Sequence, residues 1–375
     1  MAHTPLRMGM VGGGQGAFIG AVHRFAARLD GEIELVCGAF SRSEENTKAT
    51  GAALGLDPTR CYADFEAMMR EEAALPADRR MEFVSIVTPN HMHFPVAKAA
   101  LEAGFHVLSD KPATLNTDEA RRIAAILEDT PELHYGLTHT YLGHPMVREM
   151  QAIVADGGIG SVRKVFVEYI QGWLNRDIDG KQAEWRVDPT RSGAAGAIGD
   201  IGTHAHNLAE FVTGQTITTV AADLTAFVPG RKLDDDGSAL FRMSGGAKGV
   251  LSASQVCVGK ENTLTLRVFG ESGGLEWNQE EPNTVLRHYE DRPTEVLRAA
   301  TGFLHDGTSA MFRTPAGHPE GYLEAFANIY LEFAAAVRGE GEPSAGIGGA
   351  LRGMAFIDAM VESSANDAAW TEITV

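Results

Sequence analysis

The residues best suited to acid–base chemistry lie in one short segment, Gly199-Asp200-Ile201-Gly202-Thr203-His204-Ala205-His206-Asn207. If a helix begins near Asp200, its carboxylate and the His204 imidazole lie four residues apart on one face, and the acid can orient the ring. Such a histidine suits a general base that takes a hydroxyl proton. A purely structural histidine is the alternative for His204 and the favoured interpretation for His206. A metal site is not expected, because helical neighbours two apart diverge and no third ligand is evident.

A lysine stands in a second segment of this kind, Ser109-Asp110-Lys111-Pro112, directly after an apolar strand candidate. Packing does not explain a lysine on a short turn before proline. Its ammonium can polarise a substrate oxygen and lower the pKa of a hydroxyl group that is being oxidised. A merely solvated lysine is the alternative interpretation.

A glycine cluster, Val11-Gly12-Gly13-Gly14-Gln15-Gly16-Ala17, lies between the first strand candidate and a helix. Glycine lets the backbone turn tightly and approach a pyrophosphate, which then rests on the helix N-terminus. Because Gly12, Gly14 and Ala17 satisfy the pattern GxGxxA, the segment predicts a dinucleotide-binding loop. The expected cofactor contacts in this loop are Gly12, Gly13, Gly14, Gly16, Ala17 and Phe18.

The end of the second strand bears on the choice between NAD and NADP. An acidic residue there would bind the ribose hydroxyls and repel a 2′-phosphate. The chain instead reads Gly38-Ala39-Phe40-Ser41-Arg42, with no acid before Glu44. Ser41 can donate a hydrogen bond and Arg42 can pair with phosphate, which favours NADP or the use of both cofactors. A solvated Arg42, or one stacked on adenine, is the alternative.

Two further loops follow parallel strands and therefore face the ligand crevice. One is Thr88-Pro89-Asn90-His91-Met92-His93, and the other carries Lys111. A helix cap formed by Asn90 is an alternative for the first loop. The cofactor contacts expected here are Thr88, Pro89, Asn90, His93, Asp110 and Lys111.

Substrate contacts are expected from aromatic and polar residues around the catalytic segment. Aromatic faces and paired polar groups suit a polyol, which offers both C–H surfaces and hydroxyl groups. Core aromatic residues are the alternative interpretation. The expected substrate residues are Tyr141, Trp173, Trp185, Arg186, Asp200 and His204.

The elements that must position these residues fall into two series. Up to about residue 142, short apolar strands alternate with amphipathic helices, which predicts a doubly wound parallel sheet. From residue 143 to 375, consecutive strands with little helix between them predict a substrate and oligomerisation domain with an open, largely antiparallel sheet. Residues 292–318 look irregular, and the last helix is available to pack back on the first domain. The fold class is therefore α/β followed by α+β.

Composition excludes several classes of protein. The 375 residues carry 32 basic and 50 acidic side chains, a formal charge of −18, which disfavours nucleic-acid binding. The three cysteines are widely spaced and indicate reduced thiols. We find no apolar run of about 18 residues and no signal sequence, and so expect a cytoplasmic protein that does not enter the membrane.

Taken together, these motifs resemble the Gfo/Idh/MocA family, named for glucose–fructose oxidoreductase, inositol dehydrogenase and a rhizopine-catabolism protein. The resemblance implies a Rossmann domain and an NAD(P)-dependent oxidoreductase acting on a sugar, sugar derivative or inositol hydroxyl. It also implies a catalytic trio of Lys111, Asp200 and His204, with His204 as the proton acceptor. Two features depart from the family pattern: Asp110 replaces a glutamate, and the glycine loop is about three residues longer before His23.

Two other activities stay open. The chain also resembles NAD-dependent glycosidases of the same superfamily, which oxidise the sugar transiently without net redox, and in which Tyr141 or His144 would act as an extra acid or base. A dinucleotide-sensing regulator without catalysis is the second, although the presence of all three catalytic-type residues argues against it. Exposed apolar positions on the second sheet suggest a homodimer or homotetramer.

Overall fold

The computed structural model describes residues 4–178 and 181–375, with the backbone alone for residues 181–183. The chain forms two compact units. The first unit holds the chain up to His139 together with Phe326–Leu351, and the second holds Thr140–Ala325 together with Arg352–Val375. A late segment of the chain therefore completes the first unit.

The first unit alternates strands and helices from β1 to β5. Its elements are β1 (Leu6–Gly12), α1 (Phe18–Arg28), β2 (Ile33–Ala39), α2 (Glu44–Ala53), α3 (Phe65–Ala73), β3 (Phe83–Val87), α4 (His93–Glu102), β4 (His106–Ser109), α5 (Thr117–Asp129) and β5 (Tyr135–Leu137).

All five strands of this unit are parallel, in the order β2-β1-β3-β4-β5. Every residue of the central strand β3 is buried, as its nearly continuous apolar sequence predicts for a strand covered on both faces. The strand order reverses beside β1, and ligands bind outside the carboxyl ends of strands at such a point. The predicted doubly wound sheet is confirmed, and the glycine loop and the Thr88 loop both start at this edge.

The rest of the chain supplies mostly strands. Its elements are α6 (Pro145–Ala155), β6 (Val162–Ile170), α7 (Lys181–Arg186), α8 (Pro189–Ser192), a π-helical turn (Ile198–Gly202), α9 (Thr203–Thr213), β7 (Ile217–Thr225), β8 (Asp236–Met243), β9 (Lys248–Ser254), β10 (Thr263–Gly270), β11 (Gly273–Asn278), β12 (Thr284–Tyr289), β13 (Glu295–Arg298), α10 (Asp306–Ser309), α11 (Tyr322–Val337), α12 (Ile347–Ala365) and β14 (Thr371–Glu372).

Nine of these strands form one open sheet, in the order β13-β12-β11-β10-β6-β9-β8-β7-β14. Its pairs are antiparallel except for β6 with β9, so the predicted, largely antiparallel sheet is confirmed. Side chains along β8 alternate between buried and exposed, which is typical of a sheet with one covered face. Helices α6 and α9 pack together, and α9 also packs on β6.

Residues 292–318 are less irregular than the sequence predicts. They contain β13, which pairs only with β12 at the edge of the sheet, and the single-turn helix α10. Asp291 and Pro293 stand just before β13. Because both residue types are typical of turns and sheet edges, the sequence predicts a loop here instead of a short edge strand. No helix in the described parts of the chain is long and apolar enough to cross a membrane.

Candidate active site

The glycine loop joins β1 to α1 by a close contact of two backbone segments. Gly12 and Gly13 adopt φ angles of +88° and +72°, which residues other than glycine rarely adopt. A Cβ atom on Gly20 would lie 2.3 Å from the Gly13 Cα atom, so the loop rests directly on the first helical turn. Gly20, in the first turn of α1, is needed for this contact but is not part of the GxGxxA pattern. Its position near the helix start can be seen in the sequence.

Hydrogen bonds that the loop amides donate to helix α2 and to the turn before it hold the loop in place. The Gly14 amide donates to the Phe40 carbonyl at 3.0 Å, and the Gln15 amide donates to Asn46 Oδ1 and Thr50 Oγ1, both at 3.1 Å. Helix α1 begins without a side-chain cap and without an acidic residue in its first turn. The open helix end and the glycine backbone fit the phosphates of a dinucleotide. The predicted contacts span the junction from the last residue of β1 to the first residue of α1: Gly12, Gly13, Gly14, Gly16, Ala17 and Phe18.

Ser41 and Arg42 follow β2 at the same end of the sheet. The Ser41 amide donates to Thr47 Oγ1 at 3.0 Å, and Ser41 Oγ accepts a hydrogen bond from the Ser43 amide at 3.2 Å. The Arg42 side chain is exposed. Arg42 thus places a cation just after Phe40, whose carbonyl accepts the hydrogen bond from the glycine loop. In a doubly wound fold this is the region that binds the ribose of a dinucleotide.

His93 joins the two loops that follow β3 and β4. Its Nδ1 atom lies 2.7 Å from the Pro112 carbonyl oxygen and its Nε2 atom 2.8 Å from that of Thr88. Burial lowers the pKa of His93, while the Asp110 carboxylate opposes this change. The buried ring is therefore placed to brace both loops, and its predicted contact with a cofactor stays a prediction, as do those of Thr88, Pro89 and Asn90.

The Asp110 side chain organises the loop that carries Lys111. Its Oδ1 atom accepts hydrogen bonds from the Lys111 amide at 2.9 Å and from Thr138 Oγ1 at 3.0 Å. The Asp110 amide donates to the Ile86 carbonyl at 2.9 Å, which ties the loop to β3. The Asp110 side chain thus fixes the backbone of Lys111 by accepting a hydrogen bond from its amide.

In the second unit, Asp200 lies in the π-helical turn that leads into α9. The Thr203 amide donates to the Ile198 carbonyl, five residues back, so this hydrogen bond spans one residue more than those of the predicted α-helix. The Asp234 carboxylate accepts hydrogen bonds from the Gly196 amide at 2.6 Å and the Ile198 amide at 2.8 Å. Burial raises the pKa of Asp234, and these amides oppose the change. Sequence reasoning missed Asp234, since nothing local links it to this turn.

Two polar side chains hold the Asp200 carboxylate. Its Oδ2 atom accepts hydrogen bonds from Arg186 Nε and from Gln255 Nε2, both at 2.9 Å. The Arg186 guanidinium lies over the rings of Trp185 and Trp173, 4.3 and 5.7 Å from their centroids. The structure thus brings together the predicted residues Asp200, Arg186, Trp173 and Trp185, and adds Gln255, which directly follows β9 and carries no sequence signal.

His204 lies against two buried tyrosines. The ring of Tyr141 meets the imidazole edge to face, with centroids 4.8 Å apart, and the Tyr169 ring lies 6.0 Å away. Burial raises the pKa of both tyrosines, so both hydroxyl groups stay protonated near neutral pH. The second helix histidine, His206, instead pairs with Glu210 at 3.1 Å and stacks on Phe356, which is a structural role.

A hydrogen-bonded chain runs from these tyrosines toward the surface. Tyr141 and Tyr169 share a hydrogen bond between their hydroxyl groups, and Asn262 bonds to both. Gln171 Nε2 donates to Asn262 Oδ1, and Trp173 Nε1 donates to Gln171 Oε1 at 2.9 Å. Trp173 is 36% exposed at the outer end of this chain. Tyr169 lies on the same buried face of β6 as Val165 and Val167, so sequence reasoning did not distinguish it from a core residue.

His144, the other residue considered for an acid–base role, is buried beside Tyr141 and Trp277. Burial lowers its pKa to about 3, so the ring is neutral over the physiological range. Among the described residues, no group of three histidine, cysteine or carboxylate side chains is arranged to hold a metal ion.

Comparison with known proteins gives matches over nearly the whole chain. Family models described as the NAD-binding Rossmann fold of an oxidoreductase family and the GFO/IDH/MocA C-terminal domain match residues 6–137 and 147–276. An uncharacterized oxidoreductase of Bacillus subtilis is 32% identical over 98% of this chain and 97% of its own. The levoglucosan dehydrogenase of Pseudarthrobacter phenanthrenivorans is 24% identical, with 98% of each chain covered.

Solved structures give the same result. An inositol dehydrogenase homolog from Azotobacter vinelandii, complexed with NAD+, superposes with a TM-score of 0.94 at 34% identity, covering 98% of this chain and 97% of that one. An oxidoreductase from Sinorhizobium meliloti superposes with a TM-score of 0.90 at 44% identity, covering 98% and 99%. The chain is therefore an oxidoreductase of the Gfo/Idh/MocA family, and its first unit is that family's NAD-binding Rossmann fold.

Proposed function

We propose that the protein transfers a hydride between a nicotinamide cofactor and a hydroxyl-bearing carbon of a sugar, sugar derivative or cyclitol. The observation that carries this proposal is the setting of His204, whose imidazole lies against two tyrosines near a surface tryptophan. Aromatic faces and hydroxyl groups are what a polyol requires for binding. The names of the levoglucosan and inositol dehydrogenase relatives support the same substrate class.

The glycine loop, with the open N-terminus of α1, would hold the dinucleotide phosphates. Bound there, the nicotinamide supplies a carbon that accepts or gives up the hydride. The loops after β3 and β4 would border the nicotinamide half, because they follow the strands beside the switch point. The contacts between loops described above keep these loops in fixed positions before any ligand binds.

Three side chains would share the acid–base work. His204 would take the proton of the substrate hydroxyl in oxidation and return it in reduction. Asp200, which is itself held by Arg186 and Gln255, would orient the His204 imidazole. The Lys111 ammonium would stabilise the negative charge that develops on the substrate oxygen as its proton leaves.

Trp173, Trp185 and Tyr141 would form the aromatic part of the substrate site. Because the Arg186 charge is balanced by Asp200, this part of the site favours a substrate without a net charge. The Tyr141 hydroxyl bonds to Tyr169 and Asn262 and would therefore act chiefly by keeping the ring in place.

For the cofactor we propose a preference for NADP with NAD also used, since Arg42 is exposed beside Ser41 and no acidic residue lies between the end of β2 and Glu44. The measurement is the ratio of kcat/KM for NADP+ to that for NAD+, in the wild type and in Arg42→Ala. A preference based on a 2′-phosphate contact predicts a ratio that falls about tenfold in the variant. An unchanged ratio would show that Arg42 does not read the phosphate.

The activity itself is tested by screening sugars, anhydrosugars and inositols with each oxidised cofactor, following the absorbance of reduced nicotinamide. We expect at least one polyol to give continuous reduction, which Lys111→Ala and His204→Ala each lower by about a hundredfold or more. Near-normal turnover in both variants would overturn the residue assignment.

The same screen separates the proposal from its rivals. A nitrophenyl glycoside that releases nitrophenol without net accumulation of reduced cofactor would indicate glycosidase chemistry instead. Tight dinucleotide binding with no reaction of any polyol would indicate a regulator.

A further inference from the structure

A polar cluster lies fully buried inside the first unit, where an apolar core is the simpler arrangement. His23 on α1 and Ser85 on β3 are 0% exposed, and Tyr330 on α11 is 1% exposed. The Tyr330 hydroxyl lies 2.8 Å from His23 Nδ1 and 2.9 Å from Ser85 Oγ. Burying polar groups is unfavourable unless they are hydrogen-bonded, so three of them in contact call for an explanation beyond packing.

The distances are compatible with one arrangement of the protons, in which Ser85 donates to the Tyr330 oxygen and Tyr330 donates to His23 Nδ1. Ser85 Oγ also lies 3.4 Å from the same nitrogen. In this arrangement the imidazole proton sits on Nε2. Burial lowers the pKa of His23 to about 4, with Asp110 raising it and Arg24 lowering it, so the ring is neutral near neutral pH.

The Nε2 atom faces the loop that carries Lys111. It lies 4.0 Å from Asp110 Oδ2 and has no hydrogen-bond partner in the described part of the chain. The other carboxylate oxygen, Oδ1, binds the amide of Lys111 and the hydroxyl of Thr138. One carboxylate is thus placed between the buried ring on one side and the lysine backbone on the other.

We propose that His23 is a positioning residue for Lys111: its Nε2–H group orients the Asp110 carboxylate, and Tyr330 with Ser85 sets its tautomer. This inference rests on the proposed role of Lys111. A small rotation of Asp110 shortens the 4.0 Å separation to a hydrogen bond, and the carboxylate then keeps the lysine backbone fixed while its ammonium meets a developing charge.

The test is a double-mutant cycle of Tyr330→Phe and Asp110→Asn on a verified substrate. Tyr330→Phe removes the donor to Nδ1, and we expect kcat to fall about tenfold while KM for the cofactor changes less than about twofold. In the Asp110→Asn background the same substitution should change kcat less than about twofold, because the carboxylate it acts through is gone. Ser85→Ala provides a second variant if Tyr330→Phe does not fold.

The matched control is Tyr62→Phe, which removes another buried hydroxyl of the same unit, one that bonds to Glu72 at 2.8 Å. Its kcat should equal that of the wild type. Multiplicative effects of Tyr330→Phe and Asp110→Asn, or an unchanged kcat in Tyr330→Phe, would overturn the inference. If Lys111→Ala itself kept turnover, the proposed function would fail first, and the two failures are thereby distinguished.

A spectroscopic measurement tests the tautomer without using activity. The ring ¹⁵N signals of His23, identified by their loss in His23→Gln, should show a protonated Nε2 and an unprotonated Nδ1 from about pH 5 to pH 8. In Tyr330→Phe we expect a mixture of tautomers. A protonated Nδ1 in the wild type would contradict the assignment.

Discussion

The glycine loop of the first unit and the residues around His204 in the second unit are held in place in different ways. We call the latter the His204 group: His204 and Asp200 with the side chains that contact His204 or hold the Asp200 carboxylate and the tyrosine hydroxyls. The glycine backbone, together with hydrogen bonds that the loop amides donate to α2 and the turn before it, fixes the loop within about forty residues of sequence. Side chains from β6, α7, the π-helical turn and the loops after β9 and before β10 fix the His204 group. The first is a local motif, whereas the second is a tertiary network.

This difference determines how each site should respond to mutation. A backbone loop tolerates changes of side chain and fails when a Cβ atom is added, since the backbone cannot move away. A side-chain network loses activity stepwise, according to how far each member lies from the reacting atoms.

The largest effect is expected for His204→Ala, which removes the proposed proton acceptor. On a verified substrate kcat should fall by a factor of about 100 to 10,000 at neutral pH, while the Kd for the cofactor, measured by fluorescence, stays unchanged. His206→Gln, two residues along the same helix, is the control: it should lower Tm through loss of the Glu210 contact and leave kcat near normal. Equal losses of turnover in both variants would mean that the helix, and not the imidazole, matters.

The backbone loop is tested by Gly20→Ala, whose Cβ atom would meet the Gly13 Cα atom. We expect the Kd for the dinucleotide to rise at least about tenfold and the free energy of unfolding to drop by about 1–3 kcal/mol. Gly348→Ala, on an exposed helical position with nothing within 4 Å, should change neither binding nor stability unfavourably. Calorimetry of cofactor binding and thermal unfolding measure both, and unchanged binding in Gly20→Ala would contradict the close-contact account.

A smaller effect is expected for Gln255→Leu, which removes the Gln255 donor to Asp200 and leaves the Arg186 donor in place. Turnover should fall about fivefold to tenfold with little change in KM for the cofactor. Gln215→Leu, a surface substitution in the same unit, should leave turnover unchanged. Wild-type turnover in Gln255→Leu would contradict the account, because it would show that the Gln255 hydrogen bond is not needed to hold the carboxylate.

The smallest effect concerns stability and pH. Burial acts to lower the pKa of His305, but its hydrogen bonds to Glu149 and Asp156 outweigh it and raise the pKa. The contact therefore stabilises the folded protein below the unfolded pKa of about 6.5 and is lost as the pH rises through the folded value. His305→Gln should lower Tm at pH 6 more than at pH 9, by about 1–3 °C. His318→Gln, at an exposed histidine, should show no such difference between the two pH values.

Sequence reasoning reached the local motif and the fold more fully than the network. The nearly continuous apolar strands and their alternation with helices predicted the parallel sheet, and the GxGxxA spacing predicted the loop. Gly20 escaped the pattern because its need for glycine comes from the contact with Gly13. The segment Phe326–Leu351 returns to the first unit, so the units do not divide the chain at one point. A boundary drawn near residue 142 cannot include this return.

For the His204 group, residue types were predictable and partners were not. Asp200, Arg186 and the two tryptophans stand out by type, but Gln255 and Asn262 become recognisable only when β6, β9 and β10 are paired. The π-helical turn needs the Asp234 carboxylate, which is far away in sequence. Periodicity alone cannot show a partner of this kind.

The central claim is that hydride moves directly from a substrate carbon to the nicotinamide. The most direct measurement is the mass of the reduced cofactor formed from a polyol deuterated at its carbon-bound positions. We predict a reduced cofactor heavier by one mass unit, formed with a slower rate than from the unlabelled polyol. Reduced cofactor of unchanged mass, or consumption of the polyol with none formed, would contradict the account.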